Sequence, residues 1–407
     1  MPVKVTEGSP WRNGDVWAIS MSAFFADLGY QTVQAGFPLF LVLTLHQPVW
    51  EYGLASAISY GGGAVFSYLG ARLGDRIGHR RLALAGNSAI PLLSFCALVS
   101  NPAWAIGMLS GGWWARNLRS PSRRVMLVEA VPDERRRSDA FGFLHALDVG
   151  GGALAGGYLL LAVDHHVAFR WIFVATAIPL ILSTLSLSRT TAGRAVPSQR
   201  PARSSAEGAN PPGARNLLAA AALYGFTFYS AGFPVLTLAQ SSGHLSYGVG
   251  AFLVLQLASA ATGYLLGGRL GRAPAAQLLR LGLFGYGAAG LGAALLAISY
   301  GDHLPSVVAF LSVALIGFAL GIVETLEPAA MSLIRPGNMT GRGMGALSAA
   351  RSLGTFSANI VMGLLYALSA SLAYGYAAIL AATAAVVVLG AVPGLRRWQT
   401  GSSPDVQ

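Results

Sequence analysis

Charge is scarce in this sequence, and lysine scarcer still. Charged side chains make up only 11% of its 407 residues, and of the 27 basic ones all but Lys4 are arginine. A typical soluble domain is about 25% charged, so a chain this poor in charge and 54% hydrophobic cannot cover a water-facing surface. Cysteine is almost missing too. Cys96 stands alone, which excludes an intrachain disulfide and marks it as a buried small hydrophobe. The polar opening MPVKVTEGSPWRNGD has no short apolar core followed by a small-residue cleavage site, so no removable signal peptide is expected and the first helix does the targeting. Phosphate-cradling loops, zinc-ligand spacings and nucleophile elbows are also lacking, so neither an enzyme, a cofactor nor a metal site is expected. Nucleic acid is not an expected partner despite a net charge of +11, because the arginines are distributed by side of a membrane. Only Arg170 falls in an outer connection, the bias that keeps basic loops and both termini in the cytoplasm.

What the chain does have is apolar stretches long enough to cross a bilayer, which takes about 20 residues each. Twelve are expected, near 16–45, 52–70, 82–100, 103–130, 140–163, 170–188, 216–240, 248–268, 276–298, 305–333, 344–368 and 372–393. Between the sixth and seventh lies RTTAGRAVPSQRPARSSAEGANPPGAR, rich in Pro, Ser, Gly and Arg and too poor in large apolar residues to fold alone. The expected organisation is therefore a bundle over 1–188, a flexible cytoplasmic linker over 189–215 and a second bundle over 216–407. Short strings repeat across the halves: Ala35 to Pro38 and Ala231 to Pro234 both read AGFP, Tyr52-Gly53 returns as Tyr247-Gly248, and Arg72-Leu73-Gly74 as Arg269-Leu270-Gly271. Their common order and nearly constant offset argue for a duplicated unit. The fold class is thus all-α, twelve transmembrane helices in two pseudo-symmetric six-helix bundles.

GARLGDRIGHRR, Gly70 to Arg81, joins the second and third stretches. Glycines there allow a tight turn, Asp75 complements the start of the next helix, and the arginines hold the turn inside. The segment resembles the signature of the major facilitator superfamily, G-x-L-(G/A)-D-R-x-G-R-R, through Leu73, Gly74, Asp75, Arg76, Gly78, Arg80 and Arg81. Ala71 and His79 depart from it. A second copy, Gly268 to Arg272, has Arg272 in place of the acid. The resemblance implies that Asp75, with Arg76, Arg80 and Arg123, forms a cytoplasmic conformational latch; a simple helix cap is the alternative for Asp75. In the fifth stretch Gly152, Ala153, Gly156 and Gly157 resemble G-P-x-x-G-G, an element of proton-driven exporters in the same superfamily, or a string of small residues for close helix packing.

Ionisable residues within spans are costly and point to function. Asp27 lies about 16 Å along the first stretch at 1.5 Å per residue. A carboxylate deprived of water is able to take up a proton, so Asp27 is the preferred proton carrier, with a structural bridge to an arginine of the fourth stretch as the alternative. Tyr30, Gln31 and Gln34 extend its polar neighbourhood. Arg116 and Arg119 share a face of the fourth stretch. The resemblance implies that helices 1, 4, 7 and 10 line a central cavity, which makes Arg116 a partner for Asp27 or for an anionic substrate. Glu324 and Glu327 repeat the three-residue spacing before Pro328, with opposite sign, and aligning Pro121 with Pro328 sets Arg116 and Asn117 against Val323 and Glu324. Matching AFGFLHALDVGG to GMGALSAARSLG sets Asp148 against Arg351. His145 and Asp148 share a face, either as a proton relay or as a structural pair. Phe228 and Gln256 offer aromatic and amide contacts.

The expected function is secondary active transport of a small organic solute by alternating access, coupled to protons and directed outward, by a monomer in the inner membrane of a prokaryotic cell. Its partners are the solute, protons and the lipid bilayer. An organic-anion transporter is the alternative, supported by Arg116, Arg119 and Arg351. A sensor or lipid-moving protein built on a transporter frame is a third.

Overall fold

A computed structural model describes residues 12–131, 134–193, 213–267, 274–301, 306–334 and 339–395. Among them all regular structure is helical. The linker from 194 to 212 and the second signature copy at Gly268 to Arg272 lie outside the described residues. The chain divides into two compact units, one of residues 1–47 and 58–200, the other of 48–57 and 201–407.

The first unit holds α1 (Gly14–Leu39), most of α2 (Val49–Ile77), α3 (His79–Ala89), α4 (Pro102–Ala130), α5 (Glu134–Asp164), α6 (Phe169–Ala175) and α7 (Ala177–Ser188). Asn13 caps α1 by accepting from the backbone N–H of Asp15 at 2.9 Å, and its side-chain amide donates to the carbonyl of Ala130 at 2.7 Å. One residue thus satisfies an orphan N–H and ties the start of α1 to the end of α4. Asn101 caps α4 in the same way, ahead of Pro102. Between α2 and α3 the signature glycine Gly78 takes φ +95°, a conformation that side chains with a Cβ resist. Around the start of α1 and the end of α4, Val16, Ile19, Ala23, Ala83, Met126 and Leu127 form a buried apolar core.

The second unit holds α8 (Ala214–Gly225), α9 (Gly232–Ser242), α10 (Leu245–Gly267), α11 (Pro274–Arg280), α12 (Gly287–Gly301), α13 (Ser306–Ile334), α14 (Met339–Leu368) and α15 (Ala370–Gly390). Its core is built on Leu217, Tyr224, Leu278, Tyr286, Ile322 and Val388.

Several expected single spans are interrupted, and proline accounts for three of the breaks. In a continuous helix a proline ring clashes with the carbonyl four residues earlier. Pro179 would meet Ala175, and the chain breaks at Thr176 between α6 and α7. Pro234 would meet Ser230, and 226–231 leave the helix between α8 and α9. Pro91 coincides with the passage from α3 into a 3₁₀ stretch, Ile90–Leu98. Two π-helical turns, Phe40–Thr44 after Pro38 and Leu281–Tyr286 between α11 and α12, widen the helix locally.

Large apolar side chains are exposed all along the molecule: Ile178, Leu161, Leu372, Ile379 and Val386 are each more than half exposed. Such surface has no place in water and suits acyl chains. Among the described residues seven helices are long and apolar enough to cross a membrane. The long helices outside that set include α1, α4 and α14, which carry Asp27, Arg116 and Arg351. Their hydropathy falls short because they bear the polar groups.

Candidate functional site

In the first unit, α1 and α4 bring Asp27, Tyr30 and Arg116 together. Asp27 is only 7% exposed and accepts a hydrogen bond from the Tyr30 hydroxyl. That hydroxyl in turn accepts from Arg116 Nη2 at 3.1 Å. The Arg116 guanidinium lies 5.0 Å from the Tyr30 ring centre and 4.8 Å from that of Trp113, so the cation is held by aromatic faces as well as by a hydrogen bond. Among the described residues no ion pair joins Arg116 directly to Asp27; the tyrosine relays between them. Glycine lets the helices close around this group. A Cβ on Gly151 of α5 would come within 3.2 Å of the Asp27 Cβ, so α5 passes α1 at the carboxylate itself.

About two turns further along α4, Arg123 pairs with Asp148 of α5 at 3.4 Å. His145 is exposed and, among the described residues, makes no hydrogen bond or ion pair with Asp148. The pairing expected within α5 is replaced by one between α4 and α5, because Arg123 supplies the full counter-charge that a histidine gives only when protonated. Gln31 and Gln34 are half-buried, and the Gln34 amide nitrogen has no partner.

Arg119 is the group the sequence left least explained. It is 0% exposed, and its Nη1 donates to Asn87 Oδ1 at 2.5 Å. Asn87 donates onward to Ser183 at 3.0 Å and Thr184 at 2.9 Å, and Ser183 donates to the Ser22 carbonyl at 2.6 Å. This polar chain fastens α1, α3, α4 and α7 through their buried faces.

The signature residues are engaged inside the first unit. Asp75 pairs with His79 Nε2 at 3.6 Å, and His79 Nδ1 meets the Ser122 hydroxyl at 3.2 Å. His79, one of the two departures from the family signature, is therefore a partner of its aspartate. Arg80 caps the end of α7, donating to the carbonyls of Thr190 at 2.9 Å and Ser188 at 2.7 Å. Arg76 is exposed. The first residues of the expected linker are docked rather than loose: Asp15 accepts from the Thr191 N–H at 2.7 Å, and Glu129 from the Gly193 N–H at 2.7 Å.

In the second unit Glu327 is 0% exposed. It accepts from the Tyr286 hydroxyl at 2.5 Å and is ion-paired with Arg351. Glu324, one turn earlier, is exposed. The Arg351 guanidinium lies 5.9 Å from the ring centre of Phe228, which sits in the break between α8 and α9. That break is itself held by α14, where Asn359 accepts from the Ser230 N–H at 2.9 Å. Gln256 is half-buried on α10 without a polar partner. Asp148 and Arg351, matched by the internal repeat, thus play corresponding parts with reversed sign: each pairs with the helix that precedes it, Asp148 with α4 and Arg351 with α13. Tyr286, Trp113 and Asn87 escaped the sequence reading because aromatic and amide residues in apolar helices carry no charge to flag them.

Among described residues no group of three or more His, Cys, Asp or Glu is placed to hold a metal ion.

The comparisons agree with this fold. No curated protein matches the chain by sequence. Among solved structures it is similar to the peptide transporter POT, with a TM-score of 0.73 at 15% identity, covering 94% of this chain and 95% of that one. It is similar to a D-xylose–proton symporter, with a TM-score of 0.73 at 13% identity and coverage of 93% and 99%. A bacterial homologue of the human lysosomal transporter Spinster gives a TM-score of 0.66 at 13% identity, over 98% and 100%. At such identities these likenesses speak for the fold. The family model of the Major Facilitator Superfamily matches residues 19–358, from the start of α1 into α14, and with the signature turn at Gly78 it establishes that the chain belongs to the major facilitator superfamily.

Proposed function

We propose that the protein is a secondary active transporter that moves a small organic solute by alternating access and couples the movement to protons through Asp27. The observation that carries the proposal is the Asp27–Tyr30–Arg116 group: a buried carboxylate with a hydroxyl bridge to a guanidinium in the same unit. An ionised acid left alone in such surroundings costs several kcal/mol, so its proton occupancy and the position of Arg116 are linked. Loading Asp27 with a proton frees Arg116, and removing the proton draws it back. Asp148 takes a secondary part through Arg123, with His145 at the exposed end of the same helix. Tyr30, Gln31, Gln34 and Arg116 in one unit, and Phe228, Gln256, Glu324, Glu327 and Arg351 in the other, contact the solute. That structural neighbours include a peptide transporter and a D-xylose–proton symporter supports proton-coupled carriage of a polar organic compound. The glycine element of α5 favours export. The protein acts as a monomer in the inner membrane with both termini cytoplasmic, built from a bundle over 1–188, a linker over 189–215 and a bundle over 216–407. Asp75 and Arg76 remain the proposed cytoplasmic latch, whereas Arg80 and Arg123 serve it only through the contacts described above.

A second proposal, an organic-anion transporter, is favoured by one observation. The inner face of α4 carries Arg116, Arg119 and Arg123 against two carboxylates, Asp27 and Asp148, so this cluster has one cation in excess.

The test is flux into proteoliposomes under an imposed pH gradient, with a dipeptide, a pentose, a nucleoside and an aromatic carboxylate as probes. Gradient-driven flux of one probe, abolished by Asp27→Asn, is expected. Equal flux in the wild type and the variant contradicts the assignment of Asp27.

A further inference from the structure

The residues just past α7 open the stretch expected as a free linker over 189–215, yet their polar groups are all engaged. The four N–H groups of residues 190–193 each have an acceptor: Thr190 donates to the Leu187 carbonyl at 3.3 Å, Thr191 to Asp15 Oδ1 at 2.7 Å, Ala192 to Thr190 Oγ1 at 3.0 Å and Gly193 to Glu129 Oε2 at 2.7 Å. The Thr191 hydroxyl also donates to Asp15 Oδ2 at 2.7 Å, so one carboxylate grips this residue by both of its donors. A single arginine holds the carbonyls. Arg80 Nε and Nη2 donate to those of Thr190 and Ser188, and its backbone N–H donates to that of Gly193 at 3.4 Å. A loop that runs out into water needs none of these partners.

The segment is seated as well as bonded. Thr190 is 0% exposed, and Ala192 packs on the core of Val16, Ala83, Met126 and Leu187. Gly193 takes φ +78°, and a Cβ there would stand 2.7 Å from Met126 Cγ and 3.1 Å from the Arg80 nitrogen, so the seat is shaped for glycine. Its partners come from three elements: Asp15 from the first turn of α1, Arg80 from that of α3 and Glu129 from the last turn of α4. Among the described residues the carboxylates of Asp15 and Glu129 hold nothing else. The outer contacts face water, since Thr191 and Glu129 are both exposed. Hydrogen bonds that water can replace are the first to open in a folded chain. Gly193 is the last residue held before the chain goes on to the second unit, so tension along it acts first on the bonds to Glu129 and Arg80.

We infer that residues 189–193 form a strap that docks on the ends of α1, α3 and α4 and peels from them during alternating access, so that the tether to the second unit has two lengths. Docked, it starts at 194. Released, it starts at 189, and five extended residues add at most about 17 Å of reach. Peeling proceeds from Gly193 back to Thr191, whose double grip on Asp15 is the last to open. The part played in the cycle rests on the proposed transport function, whereas the docking and release themselves do not.

Hydrogen exchange followed by mass spectrometry on the protein in lipid reads the strap without a solute. In the wild type the amides of 190–193 are expected to exchange roughly tenfold or more slowly than in an unstructured chain, and roughly tenfold or more faster than those around Ile19 in α1. Asp15→Ala/Glu129→Ala should bring them to the unstructured rate while the melting temperature stays near that of the wild type. A lock is made by oxidising Asp15→Cys/Thr191→Cys to a disulfide, with Cys96 buried and out of reach. It should slow the strap to the level of α1, and reductant should reverse this. In proteoliposomes the lock should cut the flux of a probe that the wild type carries by roughly tenfold, with recovery on reduction, because a strap that must peel is a local opening on the path. Wild-type exchange at the unstructured rate, or exchange as slow as α1 with or without the lock, overturns the inference, and so does equal flux in the oxidised and reduced protein. A wild type that carries none of the probes contradicts the proposed function instead, and the exchange rates still decide whether the strap docks and releases.

Discussion

Arg119 shows what a buried cation requires when no carboxylate is in reach. Its guanidinium rests on Asn87, and Asn87 spends its amide hydrogens on Ser183 and Thr184. Replacing Asn87 by Leu removes the acceptor and leaves a buried charged donor unmet, a loss of about 2–3 kcal/mol. Asn87→Asp instead supplies a counter-ion in the same shape. Thermal unfolding in detergent should therefore order the three proteins with Asn87→Leu well below the wild type and Asn87→Asp at or above it; a Leu variant as stable as the wild type would show that the chain of hydrogen bonds contributes little. At this scale the sequence was most informative about charge. Asp27, Arg116, Glu327 and Arg351 stand out in apolar helices and all proved to sit in polar clusters. Helical spacing said less about partners. It put His145 beside Asp148, while the fold gives Asp148 to Arg123, since which helix lies across from a residue is decided by packing and not by its own helix.

Glycine and proline set the behaviour of the elements. The AGFP copies diverge in an instructive way: around Pro38 the helix runs on into a π turn, whereas before Pro234 it opens, with Asn359 and the close approach of Gly225 to Gly354 holding the gap. Identical tetrapeptides thus read alike in sequence and differ in structure because their neighbours satisfy the freed backbone groups differently. The all-helical, membrane-crossing character was legible from hydropathy, with seven qualifying spans among the described residues; the breaks at Thr176 and 226–231 required counting back four residues from each proline. The glycine string of α5 makes a sharp forecast. Gly151 faces the backbone of α1 at Asp27, while a Cβ on Gly157 meets nothing within 4 Å. Gly157→Ala should leave the melting temperature and the gradient-driven flux unchanged, while Gly151→Val, by pushing α5 off α1, lowers both. In the signature turn, Gly78→Ala should cost about 1–3 kcal/mol for strain at φ +95°, read as a lower unfolding midpoint. Equal stability of Gly151→Val, Gly78→Ala and the wild type would refute these assignments.

For the whole molecule, the account turns on one linkage. Family membership fixes the class, and in each unit a buried carboxylate accepts from a tyrosine hydroxyl and is linked to an arginine, through Tyr30 in the first and directly in the second. Internal repetition in the sequence anticipated this correspondence at Asp148 and Arg351, but not the tyrosines that complete it. If the proton on Asp27 couples the solute gradient to the pH gradient, then a side chain that mimics the protonated acid should separate exchange from accumulation. Proteoliposomes loaded with the probe that the wild type carries can be assayed both for counterflow, which needs only solute exchange, and for uphill movement driven by a pH gradient. The account predicts that Asp27→Asn keeps counterflow near the wild-type rate and loses uphill movement entirely; retention of uphill movement by the variant would contradict it.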